Sequence, residues 1–379
     1  MPGNAFGRNL RITSFGESHG PLVGVVVDGI PAGLYLDLDL VQEAMNRRRP
    51  GQSSVTTQRS ERDKVVCWSG WLQGLCTGAP LCLTVANEDA RPQDYAGMRD
   101  VLRPSHADFT TMARFGIRPP SGGGRSSARE TAARVLAGAV ASALLAHWGI
   151  RCQAWVHSVG SISIPDTEPS LATALTCPYS LSQIEASAVR CPHTATSEAM
   201  LRHIGEVREA GDSVGGLVRA WGEGIPAGLG DPVFNRLEAD MAKAMLSINA
   251  AKAFEWGSGW AMCQGRGSQY NDAIVAADTE RWKSVTTVTN HSAGVQGGIS
   301  TAAPLWFSVG FKPPSTIAQP QQTVNMQGEA VVLEAVGRHD PCVVPRAVPV
   351  VEAMMALVLA DHLLGLPAAQ LSRLRQALA

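Results

Sequence analysis

His19 stands between Ser18 and Gly20 in the stretch Gly16-Glu-Ser-His-Gly20. A second stretch of the same kind, Gly211-Asp-Ser-Val-Gly215, carries Val214 at the matching position. An apolar residue therefore suffices where the loop only packs. His19 reads in two ways: a turn histidine bonded to nearby backbone, or a proton carrier that one copy of the loop kept. His106 lies in Arg103-Pro-Ser-His-Ala-Asp108, where Pro104 and Ser105 predict a turn into a helix start. Near the positive end of a helix it would favour an anionic ligand or a neutral partner. Taken alone, it is as much a structural residue as a functional one. Asp340, in Gly337-Arg-His-Asp-Pro341, precedes an apolar helix, either as a cap or as a base beside a ligand.

Arginine supplies complementary charge. Gly122-Gly-Gly-Arg-Ser-Ser-Ala-Arg129 is a glycine run opening a long helix. Free N–H groups at the helix start, the Ser126 and Ser127 hydroxyls, and Arg125 and Arg129 would cradle a phosphate. The run lacks the G-K-[ST] ending of a Walker loop. Arg47-Arg48-Arg49 closes another predicted helix before Pro50. It is either a solvated C-terminus with cations on the negative dipole end, or a site for a ligand with several anionic groups.

The elements that must position these residues come in two copies. Residues 16–34 and 211–229 align without a gap at an offset of 195, with eleven of nineteen positions identical. Thr77-Gly-Ala-Pro-Leu and Thr301-Ala-Ala-Pro-Leu follow at an offset of 224, and Gly124-Arg125 and Gly337-Arg338 at 213. Three collinear blocks imply one domain built from two similar halves, about 1–200 and 201–379. In each half a β-branched strand (22–27 in the first) stops at Gly-Ile-Pro-Ala-Gly and a helix follows. The first helix is capped near Asp37 or Asp39, with Leu40, Val41, Ala44 and Met45 on its apolar face. The spacing of Leu237, Met241, Met245 and Ile248 predicts the second over 235–256. Two more apolar helices, about 127–148 and 349–364, belong in the centre. The expected fold is α/β, a sandwich with buried helices between antiparallel sheets, and residues 163–197 form a peripheral insertion.

Composition narrows the class. The 379 residues are 45% apolar and 17% charged, ample for a core, which excludes disorder as the main state. Lys and Arg total 32 against 33 acids, so no bulk charge points to nucleic acid or a membrane surface. The smoothest apolar stretch, 135–146, falls short of the ~20 residues a span needs, and Glu352 and Asp361 interrupt 348–366. No signal peptide is expected at the start. The eight cysteines have neither C-x-x-C nor zinc-like spacing, which fits thiols in a reducing cytoplasm and no metal site.

Together these segments resemble the chorismate synthase family. GESHGPLVGVVVDGIPAG, GGGRSSARETAARVLAGAVA and GRHDPCVVPRAVPVVEAM are each similar to one of that family's three signature regions. RRRPG, RPSHAD, GDSVGG, GIPAGLGDPVFNRLEAD, SINAAK and GGIS fall between them in the family's order, so the resemblance spans almost the whole chain. It implies a homotetrameric β-α-β sandwich and a lyase of the shikimate pathway. Such an enzyme converts 5-enolpyruvylshikimate 3-phosphate to chorismate by anti-1,4 elimination, with reduced FMN and no net redox change. By this resemblance His19 protonates the departing phosphate, His106 keeps the reduced flavin in its active protonation state, and Asp340 helps remove a proton. Arg48, Arg103, Arg129 and Arg338, with Ser18 and Ser127 beside them, match positions for substrate or NADP anions. Flavin contacts carry over onto Arg125, Ser126, Ser127, Asn249, Ala250, Gly297, Lys312, Pro313, Pro314, Ser315, Thr316 and Arg338.

The chain departs from the family pattern at Ser54, where many members have Arg, at Arg118-Pro-Pro-Ser121, and at Asn290-His-Ser-Ala-Gly294. Altered substrate affinity is the expected consequence. Two other readings are an inactive paralogue that binds FMN or phosphate, and a flavin reductase using NADPH. Retention of His19, His106 and Asp340 argues against the first. The second lacks a G-x-G-x-x-G motif after a strand.

Overall fold

The computed structural model describes residues 3–51, 61–89, 100–117, 123–165, 170–174, 176–276, 285–334 and 340–378. Strands β1 (Ala5–Phe6), β2 (Arg11–Gly16), β3 (Leu22–Asp28) and β4 (Val66–Ser69) precede a short hairpin of β5 (Trp71–Leu72) and β6 (Leu75–Cys76), then β7 (Leu81–Ala86). After them come β8 (Arg151–Val159), β9 (Ile162–Ser163), β10 (Gly216–Glu223) and β11 (Ala251–Trp256). Hairpins β12 (Ile274–Ala276) with β13 (Val285–Thr287), and β14 (Val295–Gln296) with β15 (Ile299–Ser300), lead to β16 (Leu305–Phe311). The hairpin of β17 (Gln321–Val324) and β18 (Ala330–Leu333) is last. The helices are α1 (Leu38–Arg48), α2 (Asp108–Phe115), α3 (Thr131–Ala146), α4 (Leu181–Glu185) and α5 (Thr194–Glu209). Beyond these lie α6 (Leu237–Leu246), α7 (Gly259–Gln264), α8 (Gly267–Tyr270), α9 (Val344–Gly365) and α10 (Leu371–Leu378).

Two antiparallel five-stranded sheets form among the described residues, in the orders β1-β2-β3-β7-β4 and β9-β8-β10-β16-β11. The orders match element for element. So does the register: Leu22 faces Ala86 and Val23 faces Val85, while Leu217 faces Gly310 and Val218 faces Val309. These pairs are related by the offsets of 195 and 224 that the sequence copies show. In the second sheet β8 holds the place of β2. The sheets therefore change over at Arg151, upstream of the boundary near 200 expected from the motifs.

α3 packs on β2, β3 and β7, α9 on β8 and β10, and the two helices pack on each other. Helices α1 and α6 flank them in one continuous core. A side chain at Gly138 would meet Ala353 Cβ at 2.3 Å and its Cα at 2.5 Å, so the α3–α9 crossing requires glycine. The Val344–Ala369 segment is long and apolar enough to span a membrane, but 89% of its most apolar window is buried inside the fold. Its two acids are committed there. Glu352 accepts from the Ala154 N–H (3.0 Å) and pairs with Arg47, and Asp361 accepts from the N–H groups of Arg8, Asn9 and Leu10. Burial pushes the Cys342 thiol up to about 12.

Several boundaries differ from expectation. Asp37 caps α1 as expected, accepting from Asp39 N at 2.9 Å, yet Leu40 is exposed while Arg48 is buried. The helix expected over 235–256 ends at Leu246. Ala250 adopts a left-handed φ of 65°, and the chain re-enters the sheet as β11. Helix α3 starts at Thr131, because Ser127 is extended (ψ 144°) and two short 3-10 turns precede the helix. Helix α9 begins at Val344 rather than at Pro349, which lies inside it.

Candidate active site

A cleft of about 500 Å³ opens where α6, α9, the α2 approach and the loop after β16 meet. It gathers His106, Ser126, Asn249, Ala250, Lys312, Pro313, Pro314, Ser315, Thr316 and Asp340. Local conformation explains the assembly. The left-handed Ala250 ends the α6 turn and accepts from Lys312 N at 2.9 Å, which joins two walls. Asn249 Nδ2 donates to Ser126 O at 3.0 Å, joining a third. Asn249 lines the cleft, and its Oδ1 is buried without a hydrogen-bond partner among the described residues. Lys312 Nζ donates to Ser105 O at 3.2 Å; burial and the nearby Lys252 hold its amine below the usual range.

The second-copy loop holds this cleft from behind. Ser213 Oγ donates to Pro314 O at 2.6 Å, and Val214 N to Pro341 O at 2.8 Å. His106 comes from a turn in which Ser105 has a φ of 55° and His106 N donates to Arg103 O. Its Nδ1 lies 3.0 Å from Asp108 Oδ1, and Asp108 also takes Arg103 in a two-point bridge, Nε and Nη2 each at 2.7 Å. Asp340 pairs with Arg346, in the first turn of α9.

A buried charge cluster adjoins these groups. Arg48 Nη2 and Arg129 Nη1 bind the two oxygens of Asp63, at 2.8 and 2.5 Å. All three residues are at most 4% exposed. Burial, with the charges of Arg129 and Arg346, pulls Arg48 down to about 10 against the opposing effect of Asp63. An anion beside Arg48 would relieve that field. Among the described residues, Arg48 Nε and Arg346 Nε are buried without hydrogen-bond partners. Arg190 fixes the arrangement by donating to Arg47 O and Pro345 O, both at 2.7 Å, which clamps the end of α1 to the start of α9. Asn87 links the cluster to the His19 loop: its Oδ1 accepts from Arg129 Nε (2.7 Å), and its Nδ2 donates to Glu17 O and Gly20 O. In that loop Ser18 Oγ lies 2.9 Å from His19 Nδ1.

Several expected ligands have protein partners of their own. Arg125 donates to Gly16 O, Ser14 Oγ and Asn4 Oδ1, which fastens β2 and the root of the His19 loop. Ser127 Oγ accepts from Arg129 N at 3.3 Å and starts the second 3-10 turn. Gly297 sits at the β14–β15 turn with a φ of 62° and is not among the residues that line this cleft. Arg47 pairs with Glu352 and Glu185, whose charges hold it above its usual range despite burial. Arg338, His339, Ser54, Gly122 and residues 118–121 lie outside the described residues. Sequence reasoning missed Asp63, Asn87, Asp108 and Arg346. Asp108 and Arg346 stand inside the motifs singled out, whereas Asp63 and Asn87 carry no local signal.

Comparison with known proteins agrees with this layout. The family model described as chorismate synthase matches residues 10–364. A chorismate synthase of Opitutus terrae is 53% identical over 363 residues, 96% of each chain. One of Porphyromonas gingivalis is 49% identical over 362 residues, again 96% of each. A crystal structure of chorismate synthase superposes with a TM-score of 0.75 at 27% identity, covering 98% of this chain and 97% of the other. With the match running through the strands, the helices and the cleft described above, the chain belongs to the chorismate synthase family, the lyases that form chorismate in the shikimate pathway.

Proposed function

We propose that the enzyme eliminates phosphate and a ring hydrogen from 5-enolpyruvylshikimate 3-phosphate in the anti-1,4 sense, using reduced FMN. The observation that carries this reading is the buried pair Arg48 and Arg129 on Asp63, with the partly buried Arg346 charge close to Arg48, beside the cleft that His106, Asn249 and Asp340 line. A substrate with one phosphate and two carboxylates supplies the missing negative charge. The FMN fit rests on the cleft: about 500 Å³, walled by backbone and side-chain groups from Ser126, Asn249, Ala250 and 312–316. Ser126, Asn249, Ala250 and residues 312–316 would hold the reduced FMN, whose chemistry would be the transient supply of electron density to the breaking C–O bond.

The protein's own groups then hold charge and move protons. Ser18 Oγ lies within hydrogen-bond distance of His19 Nδ1 and helps hold the ring, and His19 gives a proton to the departing phosphate oxygen. His106 faces the cleft and governs protonation of the group bound there. Asp340, held by Arg346, accepts a proton as the ring hydrogen leaves. Arg103 orients one anionic group of the substrate from its bridge to Asp108. NADPH takes part only as the indirect reductant of the flavin. A cytoplasmic homotetramer completes the reading; exposed Phe234, Trp260 and Phe115 on the single chain support its assembly.

Two measurements test the reading. Under anaerobic conditions with chemically reduced FMN, chorismate appears from the substrate; absence of product refutes the assignment. By calorimetry, oxidised FMN binds more tightly with substrate present, because substrate anions close the arginine cluster. Equal affinity with and without substrate argues against a shared site.

A further inference from the structure

We propose that Asp108 is a positioning residue that holds neutral His106 as its Nδ1–H tautomer and turns Nε2 into the ring's proton-accepting atom. The inference rests on the reading that His106 works in the cleft, but the geometry behind it is independent of any ligand. Asp108 Oδ1 accepts from Arg103 Nη2 at 2.7 Å and lies 3.0 Å from His106 Nδ1. Asp108 Oδ2 accepts from Arg103 Nε at 2.7 Å and from the Arg103 backbone N–H at 3.1 Å. Burial alone would raise this carboxyl; hydrogen bonds from Arg103 and His106 more than offset that and hold it well below the usual range. An ionised carboxylate only accepts, so the ring nitrogen facing it must carry the hydrogen.

The surroundings make this more than a helix-start acid. Asp108 is 4% exposed and Arg103 7%, whereas the His106 side chain keeps 20% exposure and lines the cleft. On the other side, a Cβ at Gly123 would stand 3.4 Å from His106 Cε1, so the ring lies against the glycine run. A left-handed Ser105 and the Arg103–His106 turn fix the backbone between the two partners. One buried carboxylate thus orients both the cleft histidine and an arginine expected to meet substrate. This is the outer-partner arrangement by which a hydrogen bond on one imidazole nitrogen sets the chemistry of the other.

Histidine ring ¹⁵N NMR on the full chain, with His106→Gln assigning the signal, reads the tautomer directly. The wild-type neutral ring is expected as Nδ1–H. An Nε2–H ring overturns the proposal, whatever the activity of any variant. Asp108→Asn has one acceptor oxygen, which two Arg103 donors claim at the Oδ2 position. Its amide then faces His106 and donates to Nδ1, so the tautomer inverts to Nε2–H. Turnover falls about 10²–10⁴-fold, with the larger part in kcat. A helix-dipole role predicts an unchanged tautomer and near-normal kcat, because Asn serves there nearly as well, and that result also overturns the proposal. An inverted tautomer with full turnover upholds Asp108 as the positioning group and removes His106 from the proposed chemistry.

Discussion

The backbone N–H of Val214 donates to the carbonyl of Pro341 at 2.8 Å, which sets the Val214 loop one residue from Asp340. Val214 holds in the second copy the position His19 holds in the first. The copy without a titratable side chain thus supports a cleft wall through its backbone. Val214→Ala keeps that bond and is expected to retain near-normal turnover. His19→Ala lowers turnover about 10–10⁴-fold with little change in folding. Steady-state kinetics and thermal melts of both variants decide the matter. Loss of activity in Val214→Ala alone would reverse the assignment.

Asp340→Asn keeps the shape and a hydrogen-bond acceptor for Arg346, but it cannot take up a proton to become a neutral acid. Substrate affinity is expected to stay within a few-fold. Single-turnover formation of chorismate with pre-reduced FMN is expected to slow about 10²–10⁴-fold. A wild-type rate at unchanged thermal stability leaves Asp340 a structural partner of Arg346.

Asp63 carries the acid sensitivity of the charge cluster. Burial opposes its ionisation, but Arg48 and Arg129 outweigh burial, so its folded pKa lies below its unfolded one. Its stabilisation is present in full above the unfolded value of about 3.9 and is lost as pH falls through the lower folded value. The wild-type urea midpoint should therefore drop below about pH 4. Asp63→Asn leaves two buried guanidiniums unpaired and should cost about 3–5 kcal/mol at pH 7, with a shallower acid limb. Equal midpoints at pH 7 would show that the cluster does not depend on that carboxylate.

Gly138→Val drives a side chain into Ala353 where α3 crosses α9. Overpacking costs about 1–3 kcal/mol, and the contact with Ala353 backbone places this site at the upper end. Gly205→Ala, in α5 with nothing within 4 Å of the added carbon, is the control. It is expected to gain about 0.5–1 kcal/mol from helix propensity. Calorimetric melts should move in opposite directions, and an unchanged Gly138→Val melt contradicts the close crossing.

The sequence by itself determined the duplicated plan. The two Gly-Ile-Pro-Ala-Gly copies give equivalent strands, turns and helices, and their offsets reproduce the strand register of both sheets. It also determined much of the cleft lining, because His106, Ser126, Asn249 and Asp340 stand in short motifs whose turns fold locally. Periodicity and turn chemistry act over a few residues, so one chain segment is enough to read them. Tertiary structure decided where each charge is used. Arg125 and Arg129 are four residues apart in one motif, yet one is bound to β2 and the other to Asp63. Arg47 and Arg48 are adjacent, yet the first meets Glu352 and the second Asp63. Neighbouring side chains on a helix point about 100° apart, so packing on different elements sends adjacent arginines to different partners. Asp63 and Asn87 join the cluster for the same reason. They lie 66 and 42 residues from Arg129, respectively, a distance that only the packed sheets and helices close.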